Sequence, residues 1–103
     1  MIRVSLRTEN GLFTGFACMG HAGYAAAGKD IVCAAVSALT TTCVNALESV
    51  AGVKAEVTVR DGEMKAALPP DAGHDAQVIV AAMAQGLRDV AEQYPQYLQL
   101  IEN

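Results

Sequence analysis

From Ile31 to Leu47 the chain runs without a single charged side chain. The stretch reads as a helix, because Val32, Val36, Leu39, Cys43, Leu47 and Val50 recur at helical spacing. Asp30 stands where an N-cap belongs, and Gly52 stands where such a helix ends. The opposite side carries Ala34, Ala35, Ala38, Thr42 and Ala46, all small and uncharged. A helix that is apolar or small all round is buried on both sides. One side is therefore expected to pack on a sheet, and the other to meet a second helix or another subunit. The stretch is short for a membrane span and holds Ser37, Thr40, Thr41, Thr42 and Asn45, so a span is not expected. At 103 residues the chain is expected to form one domain, residues 1–103. It is 52% hydrophobic and 17% charged. That composition excludes a disordered chain. A domain this small buries a limited share of its surface, so the aliphatic surplus points again to a homodimer.

The flanking sequence supplies the sheet. Ile2, Val4 and Leu6 alternate with Arg3, Ser5 and Arg7, the period of a strand with one wet face. Asn10-Gly11 is a hairpin turn, and Leu12 to Met19 reads as the returning strand. A second hairpin runs through Ala55, Val57 and Val59, turns at Asp61-Gly62, and returns Met64, Ala66 and Leu68 on its apolar face. After Pro69-Pro70-Asp71 a second helix is expected from Gly73 to about Gln93, with Val80, Met83, Leu87, Val90 and Tyr94 as its stripe. Gly86 in its interior costs about 1 kcal/mol against Ala, which points to close packing there. The tail Tyr97 to Ile101 fits either an edge strand or a helical turn. The expected fold class is thus α+β: a two-layer ββαββα domain with a mainly antiparallel sheet and two long helices.

The formal charge is -4, and the cations Arg3, Arg7, Lys29, Lys54, Arg60, Lys65 and Arg88 are scattered, so no direct nucleic-acid contact is expected. Cys18, Cys33 and Cys43 are odd in number and form no C-x-x-C pair. With no apolar signal segment at the start, that pattern leads us to expect a reducing, cytoplasmic location.

One segment exceeds what scaffolding needs: Gly20-His21-Ala22-Gly23-Tyr24-Ala25-Ala26-Ala27-Gly28-Lys29-Asp30-Ile31-Val32-Cys33. It is long for a strand-to-helix connection. With Asp30 as N-cap, Cys33 falls in the first helical turn, where unpaired N–H groups and the helix dipole favour an anion. His21, at the end of the preceding strand, can take a thiol proton and return it to a leaving amine. The same N–H groups can hold an oxyanion. Ser37 lies one turn below Cys33 on the same face. Asp30 can cap the helix or orient His21, and Tyr24 can anchor the loop or stack on a ligand. Cys18 and Cys43 read as structural. Cys18, His21 and Cys33 match no zinc spacing, so no metal or cofactor is expected. A non-catalytic alternative uses the same loop to clamp an apolar peptide, as a dimeric binding module or ribosome-assembly adaptor. A redox-sensor reading of Cys33 lacks an evident resolving cysteine.

The pair Gly20-His21-Ala22 and Gly28-x-Asp30-Ile31-Val32-Cys33-Ala34-Ala35-Val36-Ser37 resembles the signature of the ribosomal-processing cysteine protease family, Prp. The likeness extends along the whole chain. It implies a cysteine endopeptidase that removes a short N-terminal extension from a large-subunit ribosomal protein, L27. It further implies His21 and Cys33 as catalytic dyad, Asp30 and Ser37 as supporting residues, and a homodimer formed through the helices. The loop through Ala22, Gly23, Tyr24 and Gly28 would then order over the substrate.

Overall fold

The computed structural model describes residues 1–26 and 28–103. Strands β1 (Ile2–Glu9) and β2 (Leu12–Met19) close around Asn10 and Gly11, whose φ values of 52° and 78° suit the expected tight turn. Helix α1 (Ile31–Ser49) follows, then β3 (Glu56–Arg60), β4 (Glu63–Ala67), α2 (His74–Gln93) and β5 (Leu98–Glu102). The strand order is β3-β4-β2-β1-β5. Only the β1–β5 pairing is parallel, because α2 carries the chain across to the far edge before β5 begins. The two-layer α+β reading holds, and the tail is an edge strand.

The alternation in β1 places Ile2, Val4 and Leu6 in the core, each at most 3% exposed. Phe16 joins them from β2, Val32, Val36 and Leu47 from α1, and Val80 and Leu87 from α2. Removing each such side chain from water stabilises the fold by about 1.5–3 kcal/mol. Thr40 is also buried, and it satisfies its hydroxyl by donating to the Val36 carbonyl at 2.9 Å. At the end of α1, Gly52 adopts φ 66° and its N–H donates to Glu48 O, while Val53 N–H donates to Leu47 O. Gly86 lets the helices touch: a Cβ there would stand 2.6 Å from Leu39 Cδ2, the close packing expected of it.

Two features differ from the sequence-based expectation. Register passes from Arg7↔Gly15 to Thr8↔Phe13, so β2 contains a bulge at Thr14 instead of a plain return. The apolar side of β3 is not covered: Val57 is 38% and Val59 66% exposed, because β3 is the outer edge strand beyond the helices' reach. The second side of α1, expected to meet a second helix or another subunit, is open in the single chain, with Ala34, Ala38 and Thr42 exposed. Between the helices lies an apolar groove of about 370 Å³ that includes Leu39, Ala46, Ile79 and Ala82. By length and hydropathy α1 alone would suffice to cross a membrane, but its stripe from Val32 to Leu47 lies in the core.

Candidate active site

Asp30 organises the segment between β2 and α1. Its backbone is extended, and its Oδ1 accepts from Val32 N–H at 3.0 Å and Cys33 N–H at 2.9 Å. Oδ2 accepts from Tyr24 N–H at 3.0 Å and Ala25 N–H at 3.5 Å. One carboxylate thus caps the helix and fastens the loop to it. This settles which of its two readings the geometry uses: Asp30 caps, and its oxygens face backbone amides instead of the His21 ring. It also corrects the expectation that the amides of the first turn are free for an oxyanion, since those of Val32 and Cys33 are already engaged.

The loop has two further attachments. Ala22 is 4% exposed, and its N–H donates to Cys33 Sγ at 3.2 Å. The Tyr24 ring packs edge-on against Tyr94, with centroids 5.8 Å apart, and against Tyr97 at 5.1 Å. Tyr24 is therefore a loop anchor in this conformation. Tyr94 caps the end of α2 and Tyr97 precedes β5, so this socket joins elements far apart in sequence. Gly23 and Gly28 carry φ values of 71° and 84°, which glycine adopts without strain. Ala27, within the expected loop, lies outside the described residues.

Cys33 and His21 share the walls of two hollows. One, about 580 Å³, lies on the loop side and is bounded by Gly23, Asp30 and Ser37 as well as the pair itself. The other, about 220 Å³, lies on the sheet side and reaches Cys18, Ser37, Gly62 and Met64. Ser37 lines both, one helical turn below Cys33 as its spacing requires. A chain laid across the thiol would occupy the two hollows in sequence. The largest hollow, about 750 Å³, is at the other end of the domain beside His74 and has no thiol in its wall. Among the hollows of the described residues, the smaller pair bring a thiol and an imidazole together.

The three thiols have different surroundings. Burial pushes Cys43 up to about 11, so it is inert near neutrality. Cys18 is raised too, by burial first and then by the neighbouring Cys33. Cys18 was read as a strand residue of structural value; the structure adds that it borders the sheet-side hollow. Sequence reasoning also missed Tyr94 and Tyr97 as the socket for Tyr24, and Gly62 as a neighbour of His21. The visible signal was the aromatic flanks of Pro95 and the Asp61-Gly62 turn, but neither pattern states what it will touch.

The Asp30 carboxyl is held below the ordinary carboxylate range, chiefly by the Cys33 N–H and further by those of Tyr24 and Ala25, against a small desolvation. Its ionised form is the acceptor, so the clasp is complete above the ordinary carboxyl pKa and is lost as pH falls through the lowered value. All three tyrosines of the chain belong to the Tyr24 cluster, and there is no tryptophan. Near-ultraviolet circular dichroism should therefore stay constant from pH 7 down to about 4 and change only below it. A transition centred near pH 6 would mean that Asp30 does not hold the loop.

Comparison with known proteins gives the same picture throughout the chain. The family model for cysteine protease Prp matches residues 1–99. The ribosomal processing cysteine protease Prp of Bacillus subtilis is 31% identical, with 100% of this chain and 98% of that protein aligned. The Staphylococcus aureus Prp structure with a covalently linked product peptide superposes with a TM-score of 0.94 at 29% identity, covering 100% of both chains. A second structure of that protease, with a substrate peptide, gives 0.89 at 26% identity and the same coverage. SMU.848 from Streptococcus mutans gives 0.89 at 31% identity, covering 99% of this chain and 93% of that one. With a thiol at a helix start, an imidazole lining the same hollows and this likeness from end to end, the chain belongs to the cysteine protease Prp family.

Proposed function

We propose that this protease removes an N-terminal extension from ribosomal protein L27 in the cytoplasm, with Cys33 as nucleophile and His21 as general base and acid. The observation that carries the reading is the placement of Cys33 Sγ and His21 at the junction of two hollows, with the Ala22 N–H on the sulfur. The names of the relatives, and the covalently linked product peptide in the Staphylococcus aureus structure, support it.

His21 takes the Cys33 proton as Sγ attacks the scissile carbonyl carbon. The carbonyl oxygen becomes an oxyanion, and the Ala22 N–H, which donates to the sulfur before attack, is placed to turn to it. The intermediate collapses, the C–N bond breaks, and the leaving amine takes the proton from His21. Water then gives a proton to His21 and attacks the thioester carbon; the C–S bond breaks, the carboxyl product leaves, and the Cys33 thiolate takes the proton back from His21. Asp30 holds the loop and the helix start in place, and Ser37 lines the floor beneath the sulfur.

A synthetic peptide spanning the host's own L27 extension should be cut once, giving a new N-terminus readable by mass spectrometry. An uncut peptide would overturn the assignment of L27 while leaving the protease class intact. The adaptor alternative requires a free anion site at the helix start, and the Asp30 carboxylate already occupies that position.

The open side of α1 and the apolar α1–α2 groove support a homodimer formed through the helices. Light scattering at micromolar concentration should then report twice the 10.7 kDa chain mass. A monomer mass across that range would count against the dimer.

A further inference from the structure

A general base must be held in one orientation to take a proton efficiently. Asp30 does not serve His21 in this way, since both its oxygens accept backbone amides. The imidazole lies close to the turn between β3 and β4, and both line the sheet-side hollow. A Cβ on Gly62 would stand 3.3 Å from His21 Nε2, 3.9 Å from Cε1 and 4.0 Å from Cδ2. The exposed ring edge therefore faces the bare Cα of this glycine across a space slightly too small for a methyl group. The same residue also holds the backbone beside the ring, because Gly20 N–H donates to the Gly62 carbonyl at 2.9 Å. Gly62 and the start of His21's own segment are locked together, and both face the sheet-side hollow that contains Cys33.

We infer that Gly62 is a positioning residue for His21: the missing side chain in the β3–β4 turn leaves the imidazole the space it occupies for proton exchange with Cys33. The inference rests on the reading of His21 as general base. A side chain at residue 62 would displace the ring by several tenths of an ångström, in a step where misplacement by about 1 Å can cost 100-fold.

Turn geometry also calls for glycine here, since Gly62 has φ 70°. The molecule contains its own comparison. Gly11 occupies the matching position in the β1–β2 turn with φ 78°, and a Cβ there meets nothing within 4 Å. Gly11→Asn and Gly62→Asn both place a residue that tolerates the left-handed region, so both should fold. Gly11→Ala and Gly62→Ala repeat the comparison with a smaller side chain.

Two rates are read for each variant: iodoacetamide alkylation of Cys33 from pH 6 to 8, and kcat and KM on the L27-extension peptide. Cys43 is silent in the first assay, since its thiol ionises only near pH 11. We expect the Gly62 variants to lower kcat about 10-fold or more with KM nearly unchanged, and to displace the pH profile of alkylation. The Gly11 variants should stay within twofold of wild type in both assays while losing a similar amount of thermal stability. Equal behaviour of the two pairs would overturn the inference. His21→Gln separates the two levels. If it leaves alkylation and cleavage unchanged, the dyad reading falls and the role of Gly62 with it. If it slows both while Gly62→Asn matches Gly11→Asn, only the role of Gly62 falls. An uncut peptide leaves the alkylation comparison to decide.

Discussion

Cys33→Ala should abolish peptide cleavage while the domain keeps its fold. Removing a covalent nucleophile that acts as a unit with its base costs on the order of 10⁴-fold or more in kcat. The structural cost is small, since Cys33 is only partly buried and the change deletes one sulfur from the wall of an open site. The Ala22 N–H loses its sulfur acceptor, but the loop keeps its fastenings at Asp30 and the tyrosine socket. Unchanged far-ultraviolet circular dichroism together with lost activity would establish the role of the thiol. Full activity in the variant would remove it. His21→Ala should cost about 10²–10⁴-fold, and adding it to Cys33→Ala should cost almost nothing more, as the proposed dyad requires. Serine is a poor replacement for this test, since its hydroxyl can retain weak nucleophilicity.

Gly15→Ala should be the most destabilising single-methyl change that can be made in the sheet. A Cβ at this position would lie 2.5 Å from the Ala66 carbonyl oxygen and 3.4 Å from the Ala67 Cα. Both are backbone atoms of the paired strand β4, so no rotamer change relieves the clash. Strands β2 and β4 would have to separate, and the Leu68 N–H to Thr14 O bond at 2.9 Å would go with them. Overpacking of this kind costs up to about 3 kcal/mol. In a domain of this size that lowers the melting temperature by roughly 15 °C. Gly11→Ala, with open space around its Cβ, should cost only the left-handed strain of about 1–2 kcal/mol. Thermal melts of the two variants side by side test the difference, and equal melting temperatures would refute the close-approach argument.

The contrast between these two glycines shows what could be read in advance. Gly11 follows Asn10 between two alternating runs, so its need for positive φ is a local matter and visible in the sequence. Gly15 sits within a run that reads as an ordinary strand. Its role depends on a bulge at Thr14 and on the approach of β4, whose residues lie some fifty positions further along. The same division applies to the site. Cys33 at the first turn after Asp30 and Ser37 one turn below follow from spacing along one helix, and His21 from its place two residues beyond β2. Which groups Asp30 would bind did not, because cap and ring were both within reach of that side chain. Tyr94, Tyr97 and Gly62 were invisible as parts of the site for the same reason.

By itself, then, the sequence determined what periodicity and local chemistry can carry. It specified the two hairpins, the uncharged helix with its core stripe, and the thiol at that helix's beginning. Only the tertiary structure decided what each of these meets. It placed the tail as a parallel edge strand, left β3 uncovered, and set the turn of Gly62 under the imidazole of His21. The physical reason is one of range. Backbone propensity and side-chain period act over a few residues, whereas a contact between distant segments depends on how every intervening element packs.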